Sequence, residues 1–237
     1  MSQPKYHRIL LKLSGEAIKD SKNGDILNFP FIETVAEQIK RCVDAGVQVG
    51  VIVGAGNIWR GRQGGEMDRC RADHMGMLAT TINALALQDV FQRVGMDAVV
   101  MTAVEMKAYA DLYTSRDAVR ALESGKVVIF GCGLGVPFFS TDTAAALRAA
   151  EIGADCILMA KNIDAIYSAD PNKDPTAVRY SDLTYEKIIA EDLRALDMSS
   201  TLFCKENNIN GYAFGLSDPE NIYRVVMGES VGTAIHN

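Results

Sequence analysis

Several common signatures of chemistry are missing from this sequence. It has only three histidines, His7, His74 and His236, and no Gly-x-Ser-x-Gly run, so a hydrolase triad is poorly supported. His74 has no Cys or Glu partner at metal-ligand spacing and reads as structural. The five cysteines, Cys42, Cys70, Cys132, Cys156 and Cys204, are odd in number, widely spaced and free of CxxC pairs. That argues against a disulfide framework and a zinc site, and it fits a reducing, cytoplasmic setting. No apolar run is long enough to span a bilayer, and the first residues lack a signal-peptide core, their brief apolar stretch being broken by Lys12. An excess of positive charge is also absent: 24 Lys plus Arg stand against 30 Asp plus Glu, a formal net charge of −6. The overall field repels nucleic acid and anionic membranes, so neither is an expected partner. An anionic substrate would have to be held by a local cluster of Lys, Arg and backbone N–H groups.

What is present is the balance of an ordinary globular protein, 48% hydrophobic and 23% charged. At 237 residues the chain can bury a sizeable core. Apolar, β-branched runs at 9–13, 47–53, 98–101, 127–130, 156–160 and 212–214 read as strands. Between and after them, residues 31–45, 75–94, 142–152, 185–190, 196–207 and 220–226 carry helical spacing. This alternation predicts an α/β fold with a mostly parallel sheet covered on both faces, with ligands bound beyond the carboxyl ends of the strands. No repeat, low-complexity tract or Pro/Ser linker interrupts it, so one domain spanning 1–237 is expected.

Four strand-to-loop transitions concentrate the candidate chemistry. Lys12-Leu13-Ser14-Gly15-Glu16 places a point charge and a tight turn at the first strand end; its plain alternative is an exposed lysine before a turn. In Gly54-Ala55-Gly56-Asn57-Ile58-Trp59-Arg60-Gly61, two glycines permit close backbone approach and Arg60 offers a fork of donors suited to phosphate. It is neither a Walker A loop nor GxGxxG. Three glycines and Pro137 in residues 131–139 lead into Ser140-Thr141-Asp142 at a helix start, an anion site or a simple cap. Residues 161–171 follow another strand, and there Tyr167 could stack on a flat ring; a surface turn at Asp170-Pro171 is the alternative. Asp73, ahead of His74-Met75-Gly76-Met77, could be a helix N-cap.

Taken together, residues 10–17, 54–61, 73–80, 137–143, 163–171 and 225–229 resemble the amino-acid-kinase superfamily and, within it, the bacterial UMP kinases. The similarity covers nearly the whole chain, and Asp73-His74-Met75-Gly76-Met77-Leu78-Ala79-Thr80 is its most specific piece. The resemblance implies a three-layer sandwich whose N-terminal part mainly binds UMP and whose C-terminal part mainly binds ATP. It implies a cytoplasmic transfer of the γ-phosphoryl group of ATP to UMP in pyrimidine nucleotide biosynthesis. Lys12, Leu13, Ser14 and Gly15 would hold the ATP phosphates, with Gly56 and Arg60 where donor and acceptor meet. Asn162, Tyr167 and Asp170 would surround the adenine nucleotide. On the UMP side it implies Ala55, Asp73 at the ribose hydroxyls, and Leu134, Gly135, Val136, Pro137, Phe138, Phe139, Ser140 and Thr141. Asp142 would orient Lys12 and Lys161 rather than take a proton. Ala55 replaces a glycine of the common form, and Leu134 and Val136 stand where many relatives have Thr and Asn near the uracil.

No general base is needed, because a phosphate monoester with a second pKa near ~6 is already ionised at neutral pH. Mg²⁺ is expected with ATP, held chiefly by phosphate oxygens and water rather than by protein ligands. A homohexamer, activation by GTP and inhibition by UTP are implied by the resemblance alone. Two rival readings stay open: a related kinase acting on a carboxylate or carbamate, and a non-catalytic nucleotide- or oxyanion-binding protein of the same fold.

Overall fold

The computed structural model describes residues 3–20, 23–60, 65–193 and 195–237. A nine-stranded sheet runs through it. Its strands are β1 (Arg8–Leu13), β2 (Gln48–Val53), β3 (Ala98–Thr102), β4 (Asp111–Leu112), β5 (Val127–Gly131), β6 (Cys156–Lys161), β9 (Asp182–Thr184), β10 (Asn210–Gly215) and β11 (Thr233–His236). The spatial order is β4-β3-β5-β2-β1-β6-β10-β11-β9, and every pairing is parallel except β10 with β11. A separate antiparallel pair, β7 (Ile166–Tyr167) with β8 (Arg179–Tyr180), forms a small hairpin.

Side-chain alternation in β1 divides the core in two. Ile9, Leu11 and Leu13 face one layer with α1 (Phe29–Asp44), α2 (Arg69–Arg93) and α7 (Asn221–Val226). Leu10 faces the other, with α3 (Ser115–Glu123), α4 (Thr141–Ile152), α5 (Tyr185–Ala190) and α6 (Met198–Glu206). The result is a three-layer α/β sandwich with apolar packing on both faces of its central strands, as a parallel sheet requires. By the same period-two alternation Lys12 belongs on the α4 side, in register with Ile52 of β2 and Met159 of β6.

The structure moves several predicted boundaries. Helix α2 begins at Arg69 rather than at residue 75, with Asp68 as the N-cap accepting from the Arg71 N–H. The cap reading of Asp73 is therefore replaced: Asp73 lies one turn inside the helix. Pro30 extends α1 backward to Phe29, capped by Asn28. Helix α3 and strands β4, β7, β8, β9 and β11 were not expected from the sequence. Among the described residues, no helix is long and apolar enough to cross a membrane.

Candidate active site

The carboxyl ends of β1 and β2 and the β5–α4 loop open onto a cavity of about 890 Å³. The start of α2 and the N-terminus of α6 complete its wall. Its first wall is made by two glycine segments that interlock. A Cβ added at Gly15 would sit 2.5 Å from the Gly54 carbonyl oxygen and 2.6 Å from the Gly56 nitrogen. Only glycine lets these backbones meet, which explains the residue by close approach. Behind them, the Asn57 and Asn83 side chains exchange amide hydrogen bonds at 2.9 and 2.8 Å, and Asn83 also donates to the Gly54 carbonyl at 2.8 Å. Trp59 is anchored by its indole N–H, which donates to the Ala72 carbonyl of α2 at 2.8 Å. Gly61, the end of the second predicted segment, lies outside the described residues.

Charge enters this wall from two sides. Lys12 projects from the end of β1 and its Nζ lies 2.8 Å from Asp142 Oδ1, both side chains largely buried. Asp142 is free to make this pair because another residue caps α4. The Ser140 hydroxyl accepts from the N–H groups of Asp142 and Thr143, at 3.0 and 3.1 Å, and donates to Asp197. Asp197 in turn caps α6, accepting from the Ser200 N–H at 2.8 Å. Burial pushes the Asp197 carboxyl up, but the bonds from Ser140 and Ser200 outweigh it and hold the group below its ordinary value. Lys161, at the end of the neighbouring strand β6, lies behind the wall without lining the cavity and donates to the Ala195 carbonyl. Its pKa is pushed down to about 8, first by burial and then by the positive charge of Lys12, with Asp142 opposing. Arg60 pairs with Glu16, and both side chains are about half exposed, 48% and 46%.

At the far side, Asp73 Oδ2 accepts from Arg69 Nε at 2.9 Å and from the Phe138 N–H at 2.8 Å. Desolvation raises the Asp73 carboxyl, yet these two donors win, so it stays ionised below its usual range. The contact with Phe138 depends on a left-handed backbone there, φ +71°, which is costly for a non-glycine residue and marks a constrained loop.

The cavity thus gathers most of the predicted residues: Lys12, Ser14, Gly15, Ala55, Gly56, Arg60, Asp73, Leu134, Val136, Phe138, Phe139, Ser140, Thr141 and Asp142. Gly135 and Pro137 lie in the same loop without lining it, and the Leu13 side chain is buried in the core, leaving only its main chain to meet a ligand. Asn162, Tyr167 and Asp170 lie apart, beyond Lys161 at the ends of β6 and β10. There Tyr167 donates to Asp164 at 2.9 Å, Arg179 donates to Asp164 at 3.0 Å, and Asp170 accepts from the Asn172 N–H at 3.0 Å. Sequence reasoning missed Glu16, Trp59, Arg69 and Asp197. An Asp directly before an apolar helical run is a recognisable cap signal, and it would have found Asp197. Among the described residues no group of three or more His, Cys, Asp or Glu side chains could hold a metal ion.

Residues 7–214 match the amino acid kinase family. The UMP kinase of Bacillus anthracis superposes with a TM-score of 0.94 at 35% identity, over 98% of this chain and 96% of that one. That of Ureaplasma parvum gives 0.93 at 34% identity, over 100% of both chains. The uridylate kinase of Archaeoglobus fulgidus gives 0.72 at 27% identity, over 96% and 99%. An interlocked glycine wall beside a lysine–aspartate pair at the strand ends, on a fold matched over its full length, places the chain in the amino acid kinase family.

Proposed function

We propose that the chain is a UMP kinase, transferring the γ-phosphoryl group of ATP to UMP to give UDP and ADP. The observation that carries this reading is the Lys12–Asp142 pair at the cavity wall beside the glycine loops, with Lys161 behind it, near enough to feel the charge of both. Phosphoryl transfer asks little covalent chemistry of a protein and much positioning and charge neutralisation. Lys12 is aimed by Asp142 at the junction of the two nucleotides. Arg60 leaves Glu16 to meet phosphate oxygens, a small loss because exposed ion pairs are weak. The acceptor oxygen arrives ionised, so no residue needs to abstract a proton. Asp73, kept ionised by Arg69 and the Phe138 N–H, accepts from the ribose hydroxyls of UMP.

ATP takes the other side of Lys161, against Asn162, Tyr167 and Asp170. The Asp142, Asp197 and Glu16 carboxylates are already committed to lysine, serine and arginine partners. This donor set suits a Mg²⁺ that enters with ATP on phosphate oxygens and water, where it supplies charge neutralisation without a protein cage. Five free thiols support a cytoplasmic location. Met75, Leu78 and Ile82, exposed along one face of α2, support self-association into the family's hexamer. The test is to incubate the protein with ATP, Mg²⁺ and each nucleoside monophosphate in turn and resolve the products. UDP formation is expected; phosphorylation of a carboxylate or carbamate instead of any nucleotide would refute the reading.

A further inference from the structure

Among the described residues, Arg148 is the one charged residue buried as deeply as the apolar core, with 5% of its surface exposed. Nothing in the proposed phosphoryl transfer uses it, and it does not line the cavity. A buried cation is costly unless it is paired and hydrogen-bonded, so its partners show what it holds in place. From α4, Nη1 donates to Glu151 Oε2, three residues on, at 2.6 Å. The guanidinium carbon lies 3.9 Å from the centre of the Tyr113 ring, just ahead of α3. The Tyr113 hydroxyl donates to the same Glu151 oxygen at 2.6 Å, which closes a triangle of three side chains. Nη2 then donates to the Gly133 carbonyl at 3.4 Å, a long contact helped by the full charge on its donor. That contact leaves the core and ends on the cavity wall, where Gly133 and Leu134 face a ligand.

The turn that Arg148 reaches is unfavourable on its own. Cys132, Gly133, Gly135 and Phe138 all have left-handed backbone, with φ of 63°, 55°, 77° and 71°. Such a run persists only where the surroundings over-determine it. From α2, the Thr80 hydroxyl accepts from the Cys132 N–H at 3.0 Å and Asp73 accepts from the Phe138 N–H at 2.8 Å. Arg148 supplies a tie from α4. We infer that Arg148 is a positioning residue of the proposed kinase: without touching substrate, it holds the turn after β5 in the shape that the acceptor nucleotide meets. The inference rests on the UMP kinase reading and adds a residue to it. Lysine can replace the charge but not the role, because an ammonium cannot stack on Tyr113 while forking to Glu151 and Gly133. Asp142 begins the same helix, but it is placed by the Ser140 cap and its own bond to Lys12. Loss of Arg148 should therefore weaken acceptor binding and spare the chemical step.

The experiment compares wild type with Arg148→Lys, reading calorimetric Kd values for UMP and ATP, kcat, and amide hydrogen exchange at Cys132 and Gly135, whose N–H groups are bonded at the turn. UMP binding weaker by about tenfold is expected, with exchange at both amides faster by about the same factor, the scale of one hydrogen bond to a charged group. The ATP Kd should be unchanged and kcat should stay within about twofold, since the Lys12–Asp142 pair is left intact. Equal losses for UMP and ATP, a fall in kcat with UMP binding unchanged, or faster exchange without weaker UMP binding would each overturn the inference. A second variant guards against a folding defect: Arg148→Met with Glu151→Gln removes the charge from both partners, which proteins often tolerate. With Tm near wild type, a persisting loss of UMP affinity supports the anchor. Recovery of wild-type affinity would reduce Arg148 to a structural ion pair and overturn it. A wild-type enzyme that forms no UDP would refute the kinase reading instead, while exchange at Cys132 and Gly135 would still report whether Arg148 holds the turn.

Discussion

The cavity beside β1 and the loop beyond β6 solve the problem of polar groups in opposite ways. Around the cavity, three ties join different elements of the fold: Lys12 of β1 to Asp142 of α4, Asp73 of α2 to the Phe138 main chain, and Ser140 ahead of α4 to Asp197 ahead of α6; Arg69 with Asp73 is a pair within α2. Beyond β6, the side chains of the loop are tied mostly nearby: Tyr167 and Arg179 share Asp164, and Asp170 bonds its own turn, while Arg179 also reaches the Val231 carbonyl at 3.3 Å. Long-range ties fix positions before a ligand arrives, which is what a transition state demands. Local ties are exchanged cheaply, and they suit a nucleotide that enters and leaves every cycle. In the proposed reading, the acceptor side would be the preorganised one and the donor side the adaptable one.

The contrast can be broken most severely at Lys12. Lys12→Ala should lower kcat by about 10²–10³, the usual loss for one preorganised charge, with a smaller rise in KM for UMP. Near-normal kcat in steady-state kinetics would remove the residue from the mechanism. Next comes Asp142→Asn. Because Ser140 holds the cap, this change leaves the start of α4 intact and removes only the charge that aims Lys12. A fall in kcat of about 10²-fold with little change in Tm is expected, since small misplacements cost that much. Normal kcat with a lowered Tm would reduce Asp142 to a structural part.

Lys161 sharpens the comparison at the boundary between the two sides. Its depressed pKa of about 8 means that the charged form predominates below that pH and is lost above it. If the positive charge is used, kcat/KM falls on the alkaline side of pH 8, by about tenfold per further unit, as one proton is lost. A flat profile to pH 9.5 would show that the charge is not needed. The smallest effect belongs to Asp73→Asn, which keeps the shape but loses the charge that accepts from Arg69 and, in the proposed reading, from ribose. About a tenfold weaker Kd for UMP with ATP binding unchanged is expected, from hydrogen bonds to a charged group. Calorimetric titration of both nucleotides decides it; equal losses would mean that the two sides are not separate.

Which parts of this were legible in the sequence follows from what each segment buries. β1, β2, β5 and β6 are covered on both faces, so they read as continuous apolar runs and were recognised. β9 and β11 lie at or near one edge with few apolar residues, and α3 buries only Ala118 and Leu122 amid charge. Those segments have too little periodic signal to stand out. The start of α2 was missed for a functional reason: from Arg69 to Gly76 the helix presents Arg69, Asp73 and Gly76 to the cavity instead of an apolar stripe to the core. Local periodicity fails there because these residues line an open cavity rather than a core. The Lys12–Asp142 pairing came from the family resemblance, and the alternation of β1 together with the Ser140 cap supplies its physical reason. Asp197 acts on Ser140, distant in the sequence, and spacing cannot reveal such a partner; Arg69 pairs with Asp73 at i,i+4 and was missed because the helix was expected to start only at residue 75.

The Asn57–Asn83 clasp also constrains how this chain can vary. Each amide is at once donor and acceptor for the other, and Asn83 additionally holds the Gly54 carbonyl. Exchanging one of them for a leucine leaves part of the other's amide unpaired in a buried place, while exchanging both removes that mismatch and leaves only the Gly54 and Ile26 carbonyls without these donors. The two positions are therefore epistatic. A sequence drifting toward an apolar filling behind the glycine wall must cross a less stable single mutant or change both residues together.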